Sequence, residues 1–455
     1  MQNKNGTIVS QNGASNPVIR LVRTLDSYAN IDYTFDESLV PNGIFREVYD
    51  YIKDRTDVPE QFIFTSVLAM FCGIVGTRIF FKSRVRRFKP HDYFILMAGS
   101  GERKTTTLKK IRDIIEDLEE KIKDKDKPYD NLLLYPDFYP RTAMLRELLD
   151  LMREKSERQS IFLYPKSLTL SRLLDLMCGE SDDKIRARTV AGKKSKRAQQ
   201  PSVTQRSGVA IIDGISVIFA AMKSLHNREL VAVLLDLWDG KPTSWATSAR
   251  NGGVRWFEDT ALTVLAANIP EVFVEHLPKG VFLDSILSSF QIINAEMGLE
   301  SRKTLLELHF EMQNNRDEIK KRYNEILEKL KQFYQFVCRL SQAKAPVLVS
   351  EEAEALDEQS CQLWYKESIE LIDETGIAEA YMERIDERKM RYALLFSILE
   401  CFDQHGQSAD VITMTGTAVQ KAIEVCELFK KHTLHFLVKA KEIRPRLFSW
   451  RRGVC

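Results

Sequence analysis

The sequence feature that most constrains the fold is the stretch FILMAGSGERKTTTLKKI, residues 94–111. It joins an apolar run typical of a buried strand to a helical pattern that begins at Lys104 and Thr105, through a turn that contains two glycines. In that geometry the main-chain N–H groups of the turn and the N-terminus of the helix point towards one place, where they can bind phosphate. The stretch therefore predicts an α/β unit with a phosphate-binding loop.

The loop departs from the usual glycine pattern. Such loops read G-x-x-x-x-G-K-[ST], whereas Ala98 and Arg103 occupy the two glycine positions here. Gly99 and Gly101 still permit a close approach of the backbone to a ligand, and Arg103 adds positive charge next to Lys104. We therefore predict that the loop binds a nucleotide. The predicted nucleotide-binding residues are Gly99, Ser100, Gly101, Arg103, Lys104, Thr105 and Thr106.

Two further apolar runs, residues 208–213 and 261–270, are typical of buried strands and carry polar residues that suit the same site. GVAIID, residues 208–213, ends at Asp213, and ALTVLAANIP carries Asn268. The predicted catalytic set is Lys104, which reaches the β and γ oxygens of ATP, Asp213, and Asn268, which senses the γ-phosphate. Thr105 and Asp213 are the predicted ligands of Mg²⁺, Asp213 through water. The alternative is that strands end in Asp or Asn for reasons of turn geometry.

The alternation of strand and helix patterns predicts an α/β fold with a mainly parallel sheet. We predict a P-loop NTPase core over residues 91–300. A flexible N-terminal arm (1–40) and an N-terminal helical segment (41–90) precede it, and a C-terminal helical domain (301–455) follows it.

Individual elements follow from the apolar spacing. It predicts helices over residues 43–56 and 59–76 and strands over 77–85 and 92–98. Beyond about residue 300 the strand patterns nearly vanish.

The composition argues against several other classes of protein. The chain has 455 residues and a formal net charge of +2, so any basic surface must be local. Its seven cysteines are scattered without CxxC pairs, which predicts reduced thiols and a cytoplasmic setting rather than a zinc site or a disulfide framework. The most apolar run, residues 62–76, is too short for a typical transmembrane span, so it predicts a buried helix and no membrane partner.

One local basic stretch, residues 184–206, contains eight Lys or Arg residues and no acidic residue. Its Gly, Ser, Pro and Gln content is typical of a mobile loop, so we expect a mobile basic insertion over residues 181–207. One interpretation is a solvated insertion without a ligand. The other is an arm that contacts nucleic-acid phosphates, with single-stranded DNA as the preferred partner. The candidate contact residues are Lys184, Arg186, Arg188, Lys193, Lys194, Lys196 and Arg197.

The chain resembles a phage- and plasmid-associated P-loop ATPase family of formally unknown function, related to primase-associated and replicative helicase-like proteins. The resemblance extends over residues 41–435. It rests on the segments PEQFIFTSVLAMFCGIVGTR, GSGERKTT, IIDG with LLDLWDG, AANIPEVFVEHLPKGVFLDSILSSFQII and YMERIDERKMRYALLFSILE. In that family an arginine often precedes the lysine of the loop, as Arg103 does here. The resemblance implies a RecA-like or AAA+-like core that binds ATP and Mg²⁺, a homo-oligomer such as a ring, and a role in replication or maintenance of mobile DNA.

Two positions depart from the family pattern. Gly214 stands where the family usually has a Glu, and glycine cannot polarise water. Ser289 stands where the family usually has an arginine that acts on a neighbouring subunit, and such an arginine is worth about 10³ to 10⁵ in rate. We therefore expect ATP binding with weak hydrolysis. Residues that offer replacements are Glu180 and Asp236 for positioning water, and Arg250, Arg255, Arg384 and Arg391 as sensor or finger.

The helix that carries Arg384 and Arg391 permits two interpretations. Together with Arg388 they line one side of a helix whose other side is apolar, which is typical of a solvated basic face. The resemblance instead favours Arg384 and Arg391 as sensors of the nucleotide.

Three functions are compatible with this sequence. The first is an ATP-binding, helicase-like protein of a mobile element or phage that couples nucleotide state to DNA engagement. The second is a nucleotide-gated scaffold or regulatory module, for example in anti-phage defence, in which binding rather than hydrolysis sets assembly. The third is a structural protein whose loop binds nothing. Gly214 and Ser289 favour the second function, whereas the basic stretch favours the first.

Overall fold

The computed structural model describes residues 23–83, 86–122, 133–135, 161–162, 207–222, 230–240, 243–246, 254–257, 260–277, 282–296, 315–372 and 376–444. The strands are β1 (Arg23–Thr24), β2 (Phe81–Lys82), β3 (Arg87–Phe88), β4 (Tyr93–Met97), β5 (Leu133–Tyr135), β6 (Ile161–Phe162), β7 (Ser207–Asp213), β8 (Thr243–Ala246), β9 (Val254–Phe257), β10 (Ala261–Asn268), β11 (Phe290–Asn294), β12 (Val347–Val349), β13 (Leu371–Ile372) and β14 (Ile412–Met414).

The α-helices are α1 (Ile44–Lys53), α2 (Glu60–Val75), α3 (Lys104–Ile122), α4 (Ser216–Met222), α5 (Leu230–Asp239), α6 (Pro270–His276), α7 (Phe282–Ser289), α8 (Arg316–Ala343), α9 (Glu351–Glu370), α10 (Ile377–Met382), α11 (Ile385–His405) and α12 (Gly416–Ile443).

Six parallel strands form the central sheet, in the order β11-β4-β10-β7-β5-β6. Every residue of β4, β10 and β11 is buried, which explains why their sequences are mostly continuous apolar runs rather than alternating ones. The predicted α/β class with a mainly parallel sheet is therefore confirmed. The strand expected over residues 261–270 ends earlier, at Asn268, because Pro270 begins α6, where a missing N–H breaks no helical hydrogen bond.

Helix α2 lies against β7 and β10. All of its residues after Glu60 are buried, as expected for the core helix predicted over residues 59–76. Gly73 permits the close contact, because a Cβ at that position would lie 2.1 Å from a methyl carbon of Val209 on β7. In the described part of the chain, no helix combines the length and the apolarity needed to cross a bilayer.

The C-terminal helices share one hydrophobic core with the sheet. Helix α8 packs against α3 and α1, and α12 packs against β11 and α11. Buried side chains before and after residue 300 belong to a single cluster, so the core is continuous across the domain boundary predicted there. Leu25 and Val40, from the predicted N-terminal arm, are buried in the same cluster. Residues 23–40 are thus packed on the fold rather than detached from it.

The largest differences from the predicted elements are short strands. Beyond residue 300, where the sequence shows almost no strand pattern, β12 pairs with β14, and β13 pairs with β1. The single strand expected over residues 77–85 is instead the first part of a hairpin of β2 and β3. Strands of two or three residues are too short to show an alternating pattern.

Candidate functional site

The carboxyl ends of three neighbouring strands meet beside the loop that was predicted to bind phosphate. Asn268 on β10 is in register with Met97 on β4, and Ala267 is in register with Asp213 on β7. The loop itself is joined to β10, since the N–H of Ala98 donates to the carbonyl of Asn268 at 3.4 Å. The sheet therefore brings the loop, Asn268 and Asp213 together.

The chain leaves β4 and β10 in opposite directions across the sheet. After β4 it continues through α3 to β5, on the far side of β10 and β7. After β10 it continues through α6 and α7 to β11, on the other side of β4. Adjacent parallel strands whose connections diverge leave a crevice at their carboxyl ends, which is the usual ligand position in open α/β sheets. The loop over residues 98–103 lies at this crevice.

The loop backbone is folded as a concave set of N–H donors. Gly101 and Arg103 have φ angles of 84° and 60°. The first helical hydrogen bond of α3 runs from the N–H of Thr107 to the carbonyl of Arg103 at 3.0 Å. Within the described residues, the N–H groups of residues 100–106 have no hydrogen-bond partner. Successive unpaired N–H groups at a helix N-terminus form an anion-binding nest.

Lys104 is folded back over this loop. Its ammonium donates to the carbonyls of Ala98 at 2.7 Å and Gly99 at 2.5 Å, and the residue is 8% exposed. Burial lowers the pKa of Lys104, while the negative charges of Glu102 and Asp213 act in the opposite direction. The carboxylate of Glu102 also accepts from the N–H of Gly99 at 3.2 Å. The loop therefore holds a cation next to its N–H donors.

Thr105 and Asp213 place a hydroxyl and a carboxylate next to each other at the crevice. The hydroxyl of Thr105 donates to the carboxylate of Asp213 at 2.9 Å, and both residues are exposed. The part of the chain that the structure describes holds no group of three or more His, Cys, Asp or Glu side chains able to hold a metal. A site with one carboxylate and one hydroxyl suits Mg²⁺, which takes few protein ligands and completes its shell with water and phosphate oxygens.

Asn268 presents an unused donor at the same place. The residue is 6% exposed, and its side-chain oxygen accepts from the N–H of Ile269 at 2.9 Å. Its amide nitrogen has no partner among the described residues. A buried polar group without a partner is costly, and an acceptor such as a phosphate oxygen would satisfy it.

The backbone at Gly214 has a conformation that disfavours a glutamate. Gly214 has a φ angle of 84°, and its N–H donates to the carbonyl of Ala267 at 3.0 Å. A Cβ at this position would meet nothing within 4 Å, so space is available. The left-handed conformation is the obstacle, because side chains other than glycine rarely adopt it.

The side chain of Arg103 is paired with Asp57. Its Nε donates to the Asp57 carboxylate at 2.8 Å, and the Asp57 side chain is 4% exposed. This contact corrects the expectation that Arg103 offers free positive charge to phosphate, because a buried carboxylate matches that charge. The sequence carried no signal for Asp57, which lies 46 residues before Arg103.

The arginines predicted as sensors lie at the opposite edge of the sheet. Arg391 is 1% exposed and donates to the carbonyls of His91 and Trp238, both at 2.7 Å. His91 precedes β4 whereas the loop follows it, and five residues of strand span roughly 17 Å. Arg391 is therefore too far from Lys104 to sense a nucleotide bound there.

Arg384 lies at the same edge. It donates to the hydroxyl of Ser289, next to the first residue of β11, and its guanidinium stacks on Trp238 at 4.6 Å from the ring centre. The role of Arg384 as a sensor within its own chain is corrected for the same reason. The solvated basic face is also wrong, because Arg388 and Arg391 are buried and paired.

Other predicted residues fall elsewhere. Asp236 lies on α5 between Leu234 and Trp238, whose contacts with Tyr93 and Asp92 place this part of the helix at the amino end of β4, whereas the loop follows the carboxyl end. Arg255 lies on β9. The following candidates lie outside the described residues: Glu180, Lys184, Arg186, Arg188, Lys193, Lys194, Lys196, Arg197 and Arg250.

No protein-family model matches this chain, and no curated protein is significantly similar to it.

A buried histidine supports the end of β11 next to the site. The Nδ1 atom of His432 accepts from the N–H of Asn294 at 3.1 Å, and the side chain of Asn294 donates to the carbonyl of His432 at 2.7 Å. Asn294 is in register with Met97, the residue before the loop. Burial lowers the pKa of His432 from 6.5 to about 3. The imidazole is therefore neutral in the folded protein.

This lowered pKa predicts loss of stability in mild acid. Below about pH 6.5 His432 binds a proton in the unfolded chain but not in the folded protein. The free energy of unfolding therefore falls as the pH decreases towards 3. The slope from this group is at most about 1.4 kcal/mol per pH unit. Urea denaturation at pH 7, 6 and 5 measures it. His432→Asn retains an acceptor but does not titrate, so its profile should be flatter; an equally steep profile would assign the effect to other groups.

Proposed function

We propose that this chain is a P-loop protein that binds ATP with Mg²⁺ and couples nucleotide state to engagement of nucleic acid, as a helicase-like protein of a mobile element or phage. The observation that carries the proposal is the meeting of Lys104, the Thr105–Asp213 pair and Asn268 around one nest of N–H donors. The resemblance described above favours a homo-oligomer, such as a ring. The scattered cysteines favour a cytoplasmic setting, and the basic stretch favours single-stranded DNA as the partner.

Each residue has a distinct role in this proposal. The N–H groups of residues 100–106 and the ammonium of Lys104 bind the phosphates. Thr105 and Asp213 would hold Mg²⁺, which neutralises phosphate charge when bound. The amide nitrogen of Asn268, which has no partner among the described residues, donates to the γ-phosphate and so distinguishes ATP from ADP.

The same geometry supports slow hydrolysis. Gly214 offers no carboxylate to activate water, and the side chains of Arg384 and Arg391 lie at the opposite edge of the sheet. We expect turnover below about 1 s⁻¹, the low end of the typical enzyme range. The second candidate function, a nucleotide-gated scaffold or regulatory module, takes its support from the backbone conformation of Gly214.

Gly214→Glu tests whether the backbone conformation at residue 214 keeps ATP hydrolysis slow. We expect it to lower the free energy of unfolding by about 1–2 kcal/mol, because a side chain is forced into a left-handed conformation. ATP turnover should not rise. Chemical denaturation and phosphate release measure the two effects. Gly214→Ala carries the same strain without a carboxylate and should unfold like Gly214→Glu. Native stability with faster turnover in Gly214→Glu would contradict the expectation.

Binding of Mg²⁺-ATP and of single-stranded DNA, followed by mass measurement with and without ATP, tests the proposal. DNA binding that depends on ATP supports the helicase-like function. Assembly that depends on ATP but not on DNA supports the scaffold. If nucleotide has no effect on DNA binding or on assembly, both functions are rejected and a structural protein is the function that remains. A Lys104→Ala chain is the control for binding at the loop.

A further inference from the structure

The least expected feature of the loop is the backbone of Arg103. Among the described residues, Arg103 and Lys344 are the two non-glycine residues with positive φ, and Arg103 has a φ of 60°. In this region the Cβ approaches the following carbonyl, so glycine is the usual occupant. Arg103 stands at the position where phosphate loops have their second glycine. The chain thus imposes on an arginine the conformation that glycine adopts freely.

Contacts on both sides of Arg103 hold this conformation. Its carbonyl accepts from the N–H of Thr107 at 3.0 Å and from the Thr107 hydroxyl at 3.1 Å. Its guanidinium is held by Asp57 at 2.8 Å. Asp57 lies in the linker between α1 and α2, and α2 is buried against the sheet and α3. The carboxylate that holds Arg103 is therefore attached to the rigid core.

We propose that Asp57 is a positioning residue for the phosphate loop. Its ion pair with Arg103 keeps residue 103 in the left-handed conformation that directs the loop N–H groups towards the ligand. This inference rests on the proposed binding of ATP. A purely electrostatic role for Asp57 predicts the opposite result, because its removal would release a cation next to the phosphates and tighten binding.

The test compares the native chain with Asp57→Ala, Arg103→Gly and the double variant by calorimetric titration with Mg²⁺-ATP. Asp57→Ala is expected to weaken ATP binding about tenfold, as the loop relaxes from the left-handed conformation. Arg103→Gly is the reference for the double variant, because glycine adopts the left-handed conformation without a partner. The double variant should bind ATP within about threefold of Arg103→Gly. Asp54→Ala is the matched control, since Asp54 lies in the same linker but pairs with Arg322 on the surface at 2.8 Å.

Two results would overturn the inference: unchanged or tighter binding by Asp57→Ala, or a double variant that binds ATP about tenfold more weakly than Arg103→Gly. A native chain that does not bind ATP rejects the proposed function instead. Melting temperatures of the same four proteins without nucleotide then decide whether Asp57 holds Arg103. The melting temperature should fall in Asp57→Ala and recover in the double variant. Asp57→Asn, which keeps the side-chain shape, replaces Asp57→Ala if the latter does not fold.

Discussion

Replacing Asp92 with alanine is expected to lower the free energy of unfolding by about 3–5 kcal/mol. Asp92 is fully buried at the amino end of β4. Its carboxylate accepts from the indole of Trp238 at 2.7 Å and the phenol of Tyr392 at 2.6 Å. It also pairs with Arg388 at 3.3 Å, and both side chains are 0% exposed. The substitution leaves a buried guanidinium without its counter-charge, which is the main cause of the loss.

Chemical denaturation of Asp92→Ala measures this effect. In the double variant with Arg388→Met the buried charge is gone, so part of the lost stability should return. Glu47→Ala is the control, because Glu47 and Lys329 form an exposed pair at 2.6 Å that is expected to contribute less than about 1 kcal/mol. Equal losses of unfolding free energy in Asp92→Ala and Glu47→Ala would contradict the expectation that the buried ion pair contributes more than the exposed one.

Replacing Lys104 with alanine is expected to weaken Mg²⁺-ATP binding about 100-fold. The ammonium of Lys104 lies over the loop and is held by the carbonyls of Ala98 and Gly99. Hydrogen bonds to a charged group contribute about 1.5–3 kcal/mol each, and about 2.7 kcal/mol corresponds to 100-fold in affinity. Calorimetric titration of ATP into the native and variant chains measures the change.

Lys109→Ala provides the matched control for this experiment. Lys109 lies on the same helix, five residues later, and is exposed. Its removal changes the net charge equally but should leave ATP affinity within about twofold of native. Comparable weakening in the two variants would assign the effect to general charge. Unchanged affinity in Lys104→Ala would remove the loop from the binding site.

Much of the candidate site was predictable because its signals are local. Lys104 and Thr105 follow a buried strand and a glycine turn, and Asp213 and Asn268 each end another buried strand. Parallel strands place their carboxyl ends at one edge of the sheet. Recognising three such strands was therefore enough to expect their last residues near one another.

The partners of the arginines were not predictable in the same way. Arg384 and Arg391 belong to a helix whose pattern suits either a solvated face or a sensor, and they are instead fixed at the amino edge by Ser289, His91 and Trp238. These contacts join residues about 95 to 300 positions apart. The period of a helix indicates which side chains share a face, but it does not indicate what that face contacts.

The amino-acid sequence by itself determined the parallel α/β sheet and the strand–turn–helix unit at Lys104, because burial on both faces requires continuous apolar runs and a loop requires glycine. Only the tertiary structure decided which charges are free and which are matched. Asp57 pairs with Arg103, Asp92 pairs with Arg388, and Gly214 has a left-handed conformation that disfavours a glutamate. The physical reason is that ion pairs and left-handed turns depend on distances between segments remote in the chain, which no local pattern of residues records.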